Sequence, residues 1–444
     1  MIGKLNSASN KVTIVGGGFS GLSIAYFLDR AGYEVTLFEA QSRLGGLIET
    51  DRTPWGLAEG AAHSLLAPPA MEQFLKELNI PCVELRPDSK AKFILRNGRP
   101  RRFPLTFFEV LTTLFRAYFV LADRRTSPSE MTLQQWAQRH LGQGAARFLL
   151  SPMLRGIYGA TLDRVTVGVA FPSLVIPPGH SLVSFKLAQL FRGLFKKADQ
   201  VSGAPQKRGK RKILVPEGGM ETVIRTLETH LRKRLGDRLK TGIRIDALPE
   251  AENLILTLPA EQLAPLLAPH DADLAKALQK VTYSPLVSVT VFVPKNALIR
   301  PPKGVGVLIG EGEASRCLGI LFNSSSFSGR VFSEEWDSYT VFLGGTQEPK
   351  VLEASDEEIR ARVTEELSRQ YGLQPHSAQN LQFRIYRRKK AVPLYNADLA
   401  RVWDSARKGW CSKPGQVLFC NYSGQVSLRG MIETLTQYPF DTWG

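Results

Sequence analysis

Gly16-Gly17-Gly18-Phe19-Ser20-Gly21 follows an apolar run (Val12, Ile14, Val15) and precedes a helical stripe of Leu22, Ile24, Ala25, Phe27 and Leu28. Strand, glycine turn and helix in that order commit the chain to a βαβ unit, closed by Gly32 and a second strand through Val35, Leu37 and Phe38. Gly16 permits the tight turn, Gly18 lets the backbone approach a pyrophosphate, and Gly21 lets the helix pack close to the strand. The helix amides, from Phe19 and Ser20 onward, then face the phosphates. Glu39 ends the second strand, where a carboxylate accepts hydrogen bonds from ribose hydroxyls and repels a 2′-phosphate. NAD or FAD is therefore expected rather than NADP.

The next residues separate those two. Ala40 is followed by Arg43, Gly45 and Gly46, where an NAD protein would begin another helix. A glycine pair with an arginine predicts a loop folded back over the cofactor, with a cation for the pyrophosphate. Glu59-Gly60-Ala61-Ala62-His63 supplies a small-residue segment against which a flat ring system could lie.

The 444-residue chain carries a net charge of +16, which points to nucleic acid, an anionic membrane surface or an acidic small molecule. Lys196, Lys197, Lys207, Arg208, Lys210, Arg211 and Lys212 crowd one Gly-, Ser- and Pro-rich stretch, read as a surface loop or linker. The basic residues are not interleaved with stacking aromatics, so no nucleic acid is expected. Segments 103–122 and 181–197 are apolar and interrupted by charge. Either core packing or an interfacial position fits them, and together with the basic loop they favour a membrane surface. Four scattered cysteines and six scattered histidines suggest neither disulfides nor a metal site. No export signal is read at the start, so a cytoplasmic protein on the inner face of a membrane is expected.

Runs between 284 and 345 read as an antiparallel sheet, and Ser355–Leu373 as an amphipathic helix capped by Ser355. The stretch from Val417 reads as strand, glycine turn and helix, mirroring the opening unit.

R-x-G-G after the ribose carboxylate resembles the flavin-containing amine-oxidase-like superfamily. The ordered set "LRGIYGATLDRVTVGVAFPSL", "PEGGMETVIRTLETHL", "LGILFNSSSF", "TVFLGG" and "NYSGQVSLRGMIE" is similar to its protoporphyrinogen oxidase family over nearly the whole chain. That resemblance implies an α/β (α+β) fold: a Rossmann-type FAD-binding domain from 11–75, 201–260 and 401–444, a helical, membrane-associated region with part of the substrate domain at 76–200, and an antiparallel substrate sheet at 261–400. It implies non-covalent FAD, with Arg244 beside it and the amides near Val426, Ser427 and Leu428 at the flavin's N1–C2=O edge. It implies oxidation of protoporphyrinogen IX in three two-electron steps with dioxygen as acceptor. Coproporphyrinogen III, or an amine or polyene substrate of the same superfamily, is the alternative. Gly156, Tyr158 and Gly159 would lie beside the substrate, Val305 and Leu308 would sandwich a pyrrole ring, and Phe342 would sit near the flavin's reactive face. No catalytic triad is visible. Where the family often has an arginine for a propionate, this chain has Phe108, with Arg101, Arg102 or Arg116 as nearby substitutes. The partners expected are the porphyrinogen, dioxygen and a membrane surface, with a homodimer left open.

Overall fold

The computed structural model describes residues 1–122, 130–188 and 212–440. The basic cluster from Lys196 to Arg211 and the end of the 181–197 segment lie outside the described residues. Lys212 lies inside them, in the strand Lys212–Pro216, with its Nζ 2.7 Å from Glu84.

A five-stranded parallel sheet runs in the order Leu239–Thr241, Glu34–Glu39, Lys11–Val15, Leu254–Leu256, Gln416–Leu418. Parallel strands need cover on both faces, which is why apolar residues of these strands point to both sides of the sheet. Ile14, Leu37, Ile255 and Val417 point into one core, under the helices Phe19–Arg30, Glu221–Leu235 and Leu428–Gln437. Val15, Leu254, Leu256 and Leu418 point into the other, under Ala260–Leu267, Ala272–Gln279 and Ala397–Lys408. The first and last parts of the chain thus share one sheet, as the mirrored closing motif predicts.

A seven-stranded sheet is ordered Gln382–Pro393, Tyr283–Pro294, Trp336–Gly344, Gly319–Phe322, Gly306–Ile309, Lys92–Arg96, Arg99–Arg101. Its pairings are antiparallel except that between Gly306–Ile309 and Lys92–Arg96. Alternation gives each strand one apolar face. Val287, Val289, Val291, Val307, Ile309, Ile320 and Val341 pack against Ile359, Val363 and Leu367 of the helix Asp356–Tyr371. That helix has the expected Ser355 cap, closed into a capping box by Glu358. The opposite face of the sheet meets the stretch from Ala58 to His63 and carries the candidate site.

The apolar segment near residue 110 forms a single helix, Phe107–Phe119, started by a Thr106–Glu109 capping box and anchored by a bidentate Arg96–Glu109 pair at 2.6 and 3.0 Å. Of its residues only Ala117 is buried, while Phe107, Phe108, Leu111, Leu114, Phe115, Tyr118 and Phe119 are exposed. No helix among the described residues is long and apolar enough to cross a membrane.

Candidate cofactor and substrate site

The opening turn is built as its glycines require. Gly16 has φ +113°, and Thr257 Oγ1 donates at 2.9 Å to the carbonyls of both Val15 and Gly16. A methyl on Gly21 would lie 1.9 Å from the Gly16 carbonyl oxygen, so helix and strand touch there. Gly18 has nothing within 4 Å of where its Cβ would be, and it starts the helix Phe19–Arg30 without any side-chain cap. An uncapped helix N-terminus open to approach is a cradle for an anionic group, and a dinucleotide pyrophosphate fits it. Ser20 Oγ lies 3.5 Å from Met431 Sδ, tying the opening helix to the closing one.

Glu39 sits at the strand end with one oxygen accepting from Gly17 N at 2.6 Å and the other from Gln41 N at 2.8 Å, just before Ala40. Each oxygen keeps a lone pair for a ribose hydroxyl. Ile243 N donates to the Glu39 carbonyl at 2.9 Å, which brings Arg244 to the same place. The Arg244 side chain is exposed and reaches Asp246 at 3.4 Å. Gly45 and Gly46 fold back onto the turn: Gly45 N donates to the Gly17 carbonyl at 2.8 Å, and both take positive φ. Arg43 differs from expectation. Its guanidinium donates to the carbonyls of Leu44, Gly46 and Ile48, so here it braces the loop rather than standing free for a phosphate.

The segment Gly60, Ala61, Ala62, His63 is held from behind by Glu59. That buried carboxylate accepts from Thr50 Oγ1 at 2.6 Å, Met220 N at 3.2 Å and Arg330 at 2.8 Å. Burial pushes the Glu59 carboxyl up, against the pull of Arg330. Gly60 has to be small, because a Cβ would meet Glu49 Cγ at 2.5 Å and the Arg388 guanidinium at 3.0 Å. From the far end of the chain, Ser427 caps the helix Leu428–Gln437 by accepting from Gly430 N at 3.1 Å, while no side chain caps the amides of Leu428 and Arg429. Val426 packs against the same core as Leu258, which borders Gly16.

Strand register defines the remaining wall. Leu308 is opposite Gly319, Gly319 opposite Phe342, Phe342 opposite Ser288, and Ser288 opposite Tyr386. Residues directly opposite point to one face, so these form a single row across five strands. Gly319 sets no side chain between Leu308 and Phe342, and Leu308 Cδ2 leans over it, 3.4 Å from where its Cβ would be. Gly156, in the helix Ser151–Tyr158, comes so close that its Cβ would lie 2.5 Å from Leu308 Cδ2. Gly159 ends that helix at φ +60° over Ser284 and Leu286. His63 closes the other end of the row: its ring stands edge-on to Phe342 at 5.0 Å, with Nε2 3.4 Å from Ser288 Oγ. The result is a flat apolar wall between Gly156 and the Gly60–His63 segment.

Three predicted positions fall elsewhere. Tyr158 is buried between Phe171 and Tyr395, and burial pushes its hydroxyl up to about 12. Val305, half-buried just before the strand Gly306–Ile309, continues the alternation on the side of Val307, so it faces away from Leu308. Leu321 shares the face of Leu308. Phe108 is 78% exposed, packed against Phe107 on the open face of its helix. Of the substitutes named for it, Arg116 donates to the carbonyls of Gln138 and Arg139, and Arg101 and Arg102 are exposed. Sequence spacing alone does not single out Thr257, Ile243, Ser288, Leu321 or Arg330. Strand alternation around "LGILFNSS" was the one available signal, and it pointed to Leu321.

Known proteins match this architecture throughout. A protoporphyrinogen oxidase of Arabidopsis thaliana is 27% identical, covering 95% of this chain and 91% of its own. The human protoporphyrinogen oxidase is 28% identical, covering 89% and 90%. The fold is shared with a crystal structure from Exiguobacterium (TM-score 0.71, 20% identity, 97% of both chains). It is also shared with cyclohexylamine oxidase of Brevibacterium oxydans (TM-score 0.65, 15% identity, 96% and 98%). The flavin containing amine oxidoreductase family matches residues 19–389, taking in the opening helix, the Arg43 loop, the Glu59–His63 segment and most of the sheet wall. With a turn, loop and closing helix that fit a flavin dinucleotide, the chain belongs to the flavin containing amine oxidoreductase family.

Proposed function

We propose that the chain is an FAD-dependent oxidase of protoporphyrinogen IX, with FAD held non-covalently. The observation that carries the substrate reading is the row Leu308–Gly319–Phe342, an apolar wall that ends at the Gly60–His63 segment. The relatives named protoporphyrinogen oxidase support it over most of the chain. In this reading 11–75, 201–260 and 401–444 form the FAD-binding part, 261–400 the substrate sheet, and 76–200 the helical region between them.

Gly18, Phe19 and Ser20 would hold the pyrophosphate through their amides, Glu39 the ribose, and the amides at Leu428 and Arg429 the ring edge that turns anionic on reduction. Bound flavin supplies a two-electron hydride acceptor that dioxygen regenerates, so six electrons leave in three rounds. The chain's own work is to hold the macrocycle edge-on to that acceptor and to keep water out. Leu308 and Leu321 would pack one pyrrole ring, Phe342 would limit its depth, and Gly156, lying against Leu308, would border the ring without a side chain of its own. Orientation of this kind accounts for a large part of such a barrier without any acid–base residue.

Heat or acid release should give FAD in solution, and aerobic turnover of protoporphyrinogen IX should give protoporphyrin fluorescence well above autoxidation. Gly156→Leu should lose that turnover while keeping its flavin spectrum. A flavin that stays on the denatured chain, or turnover no faster than the blank, sinks the reading.

The exposed face of Phe107–Phe119 fits a peripheral position on an anionic membrane, with Arg99, Arg101 and Arg102 exposed beside it. Phe115→Ser with Phe119→Ser should weaken binding to phosphatidylglycerol vesicles about tenfold or more, from the apolar area lost. Equal vesicle binding by the double variant removes this helix from the membrane contact.

A further inference from the structure

The row that would hold the macrocycle is apolar from Leu308 to Phe342, and the hydroxyls of the neighbouring row, Thr340 and Thr290, lie 3.4 Å from each other, with Thr340 also accepting from Asn323 at 2.9 Å. Leu308, Gly319 and Phe342 offer no side-chain hydrogen bond. The Tyr386 hydroxyl is committed to the Ala58 carbonyl at 3.2 Å. His63 alone in that neighbourhood joins the flavin segment to the sheet row, touching Phe342 with its ring edge and Ser288 through Nε2. A porphyrinogen brings four pyrrole N–H donors to its centre, and in an apolar slot a donor without a partner is costly. Neither a polyene nor a simple alkylamine brings such a set.

The groups around His63 keep its imidazole an acceptor. Arg330 lies behind the segment, pairing with Glu59 at 2.8 Å and reaching the His63 carbonyl at 3.5 Å. Further along the same wall, Arg388 pairs with Glu49. Burial first, and the Arg330 charge second, hold the imidazole down to about 3. It is therefore neutral at physiological pH, with one ring nitrogen carrying a proton and the other a lone pair. In the tautomer whose Nε2–H donates to Ser288 Oγ, Nδ1 carries the lone pair.

We propose that His63 accepts a hydrogen bond from a pyrrole N–H of the bound macrocycle and so selects a pyrrolic substrate for this site. The proposal rests on the porphyrinogen reading above and adds a residue to it. Ser288 is a positioning residue that holds the ring through Nε2. The hydrogen bond turns the macrocycle so that one bridging carbon faces the flavin segment.

The test compares wild type, His63→Leu and His63→Gln, each isolated with bound flavin as proof of folding. Protoporphyrin IX binding is followed by fluorescence, with N-methylprotoporphyrin IX as a probe altered at one pyrrole nitrogen. His63→Leu should bind protoporphyrin IX about tenfold more weakly and lose discrimination between the two porphyrins. His63→Gln, which keeps an acceptor, should recover most of both. The flavin midpoint potential should be the same in all three. Equal porphyrin binding by His63→Leu overturns the proposal and leaves the function reading standing. A shifted flavin potential with unchanged binding also overturns it, because the ring would then serve the cofactor. A wild type that leaves protoporphyrinogen IX unoxidised overturns the function reading itself, and one that oxidises it but binds neither porphyrin overturns the role given to His63.

Discussion

Arg330→Met is expected to destabilise the folded protein by about 3–5 kcal/mol, the largest single-residue effect foreseen here. Its side chain is 5% exposed and that of Glu59 3%. Removing the guanidinium leaves Glu59 with Thr50 Oγ1 and Met220 N as donors and with no countercharge. Replacing both partners, Glu59→Leu with Arg330→Met, should cost clearly less than Arg330→Met alone, because no charge is then stranded. Denaturant midpoints with excess FAD present measure both. A single variant within about 1 kcal/mol of wild type would show that the pair is not a buried countercharge system. The flavin should also fall out of Arg330→Met first, since Glu59 holds the Gly60–His63 segment.

Gly21→Val is expected to weaken FAD retention at least about a hundredfold, by parting the helix from the strand that aims its amides. The Gly16 carbonyl oxygen sits 1.9 Å from the added Cβ and Thr257 Oγ1 3.0 Å away. The first contact is backbone and cannot swing aside. Gly18→Ala provides the contrast. Its methyl meets no protein atom within 4 Å, so stability should hold while FAD binding weakens. Flavin-to-protein ratio after gel filtration reads both. A Gly21→Val protein that keeps stoichiometric FAD would contradict the close-packing account of that glycine.

Features that depend on consecutive residues were legible in the sequence. The opening unit, the Ser355 cap and the closing strand–turn–helix each rest on local spacing, and each stands where that spacing puts it. The wall of the site is different in kind. Leu308, Gly319, Phe342 and Ser288 become neighbours only through the register of four strands, and register is set by packing far along the chain. Val305 illustrates the cost: one residue of phase turns a side chain away from the face that Leu308 shares. Glu59 and Arg330 are likewise joined only in three dimensions. Arg43 has the spacing of a phosphate ligand but uses its donors on its own loop. Phe107–Phe119 shows a further limit, since an apolar helix reads the same whether its cover is protein or lipid, and only the structure exposes its face.

The most direct test is anaerobic mixing of the flavin-loaded protein, in excess, with protoporphyrinogen IX, following flavin bleaching and porphyrin appearance together. The account predicts three flavins reduced for each protoporphyrin formed, with coproporphyrinogen III reducing the flavin more slowly. A flavin that stays oxidised through many equivalents of protoporphyrinogen IX, in a protein bleached by dithionite, would contradict it.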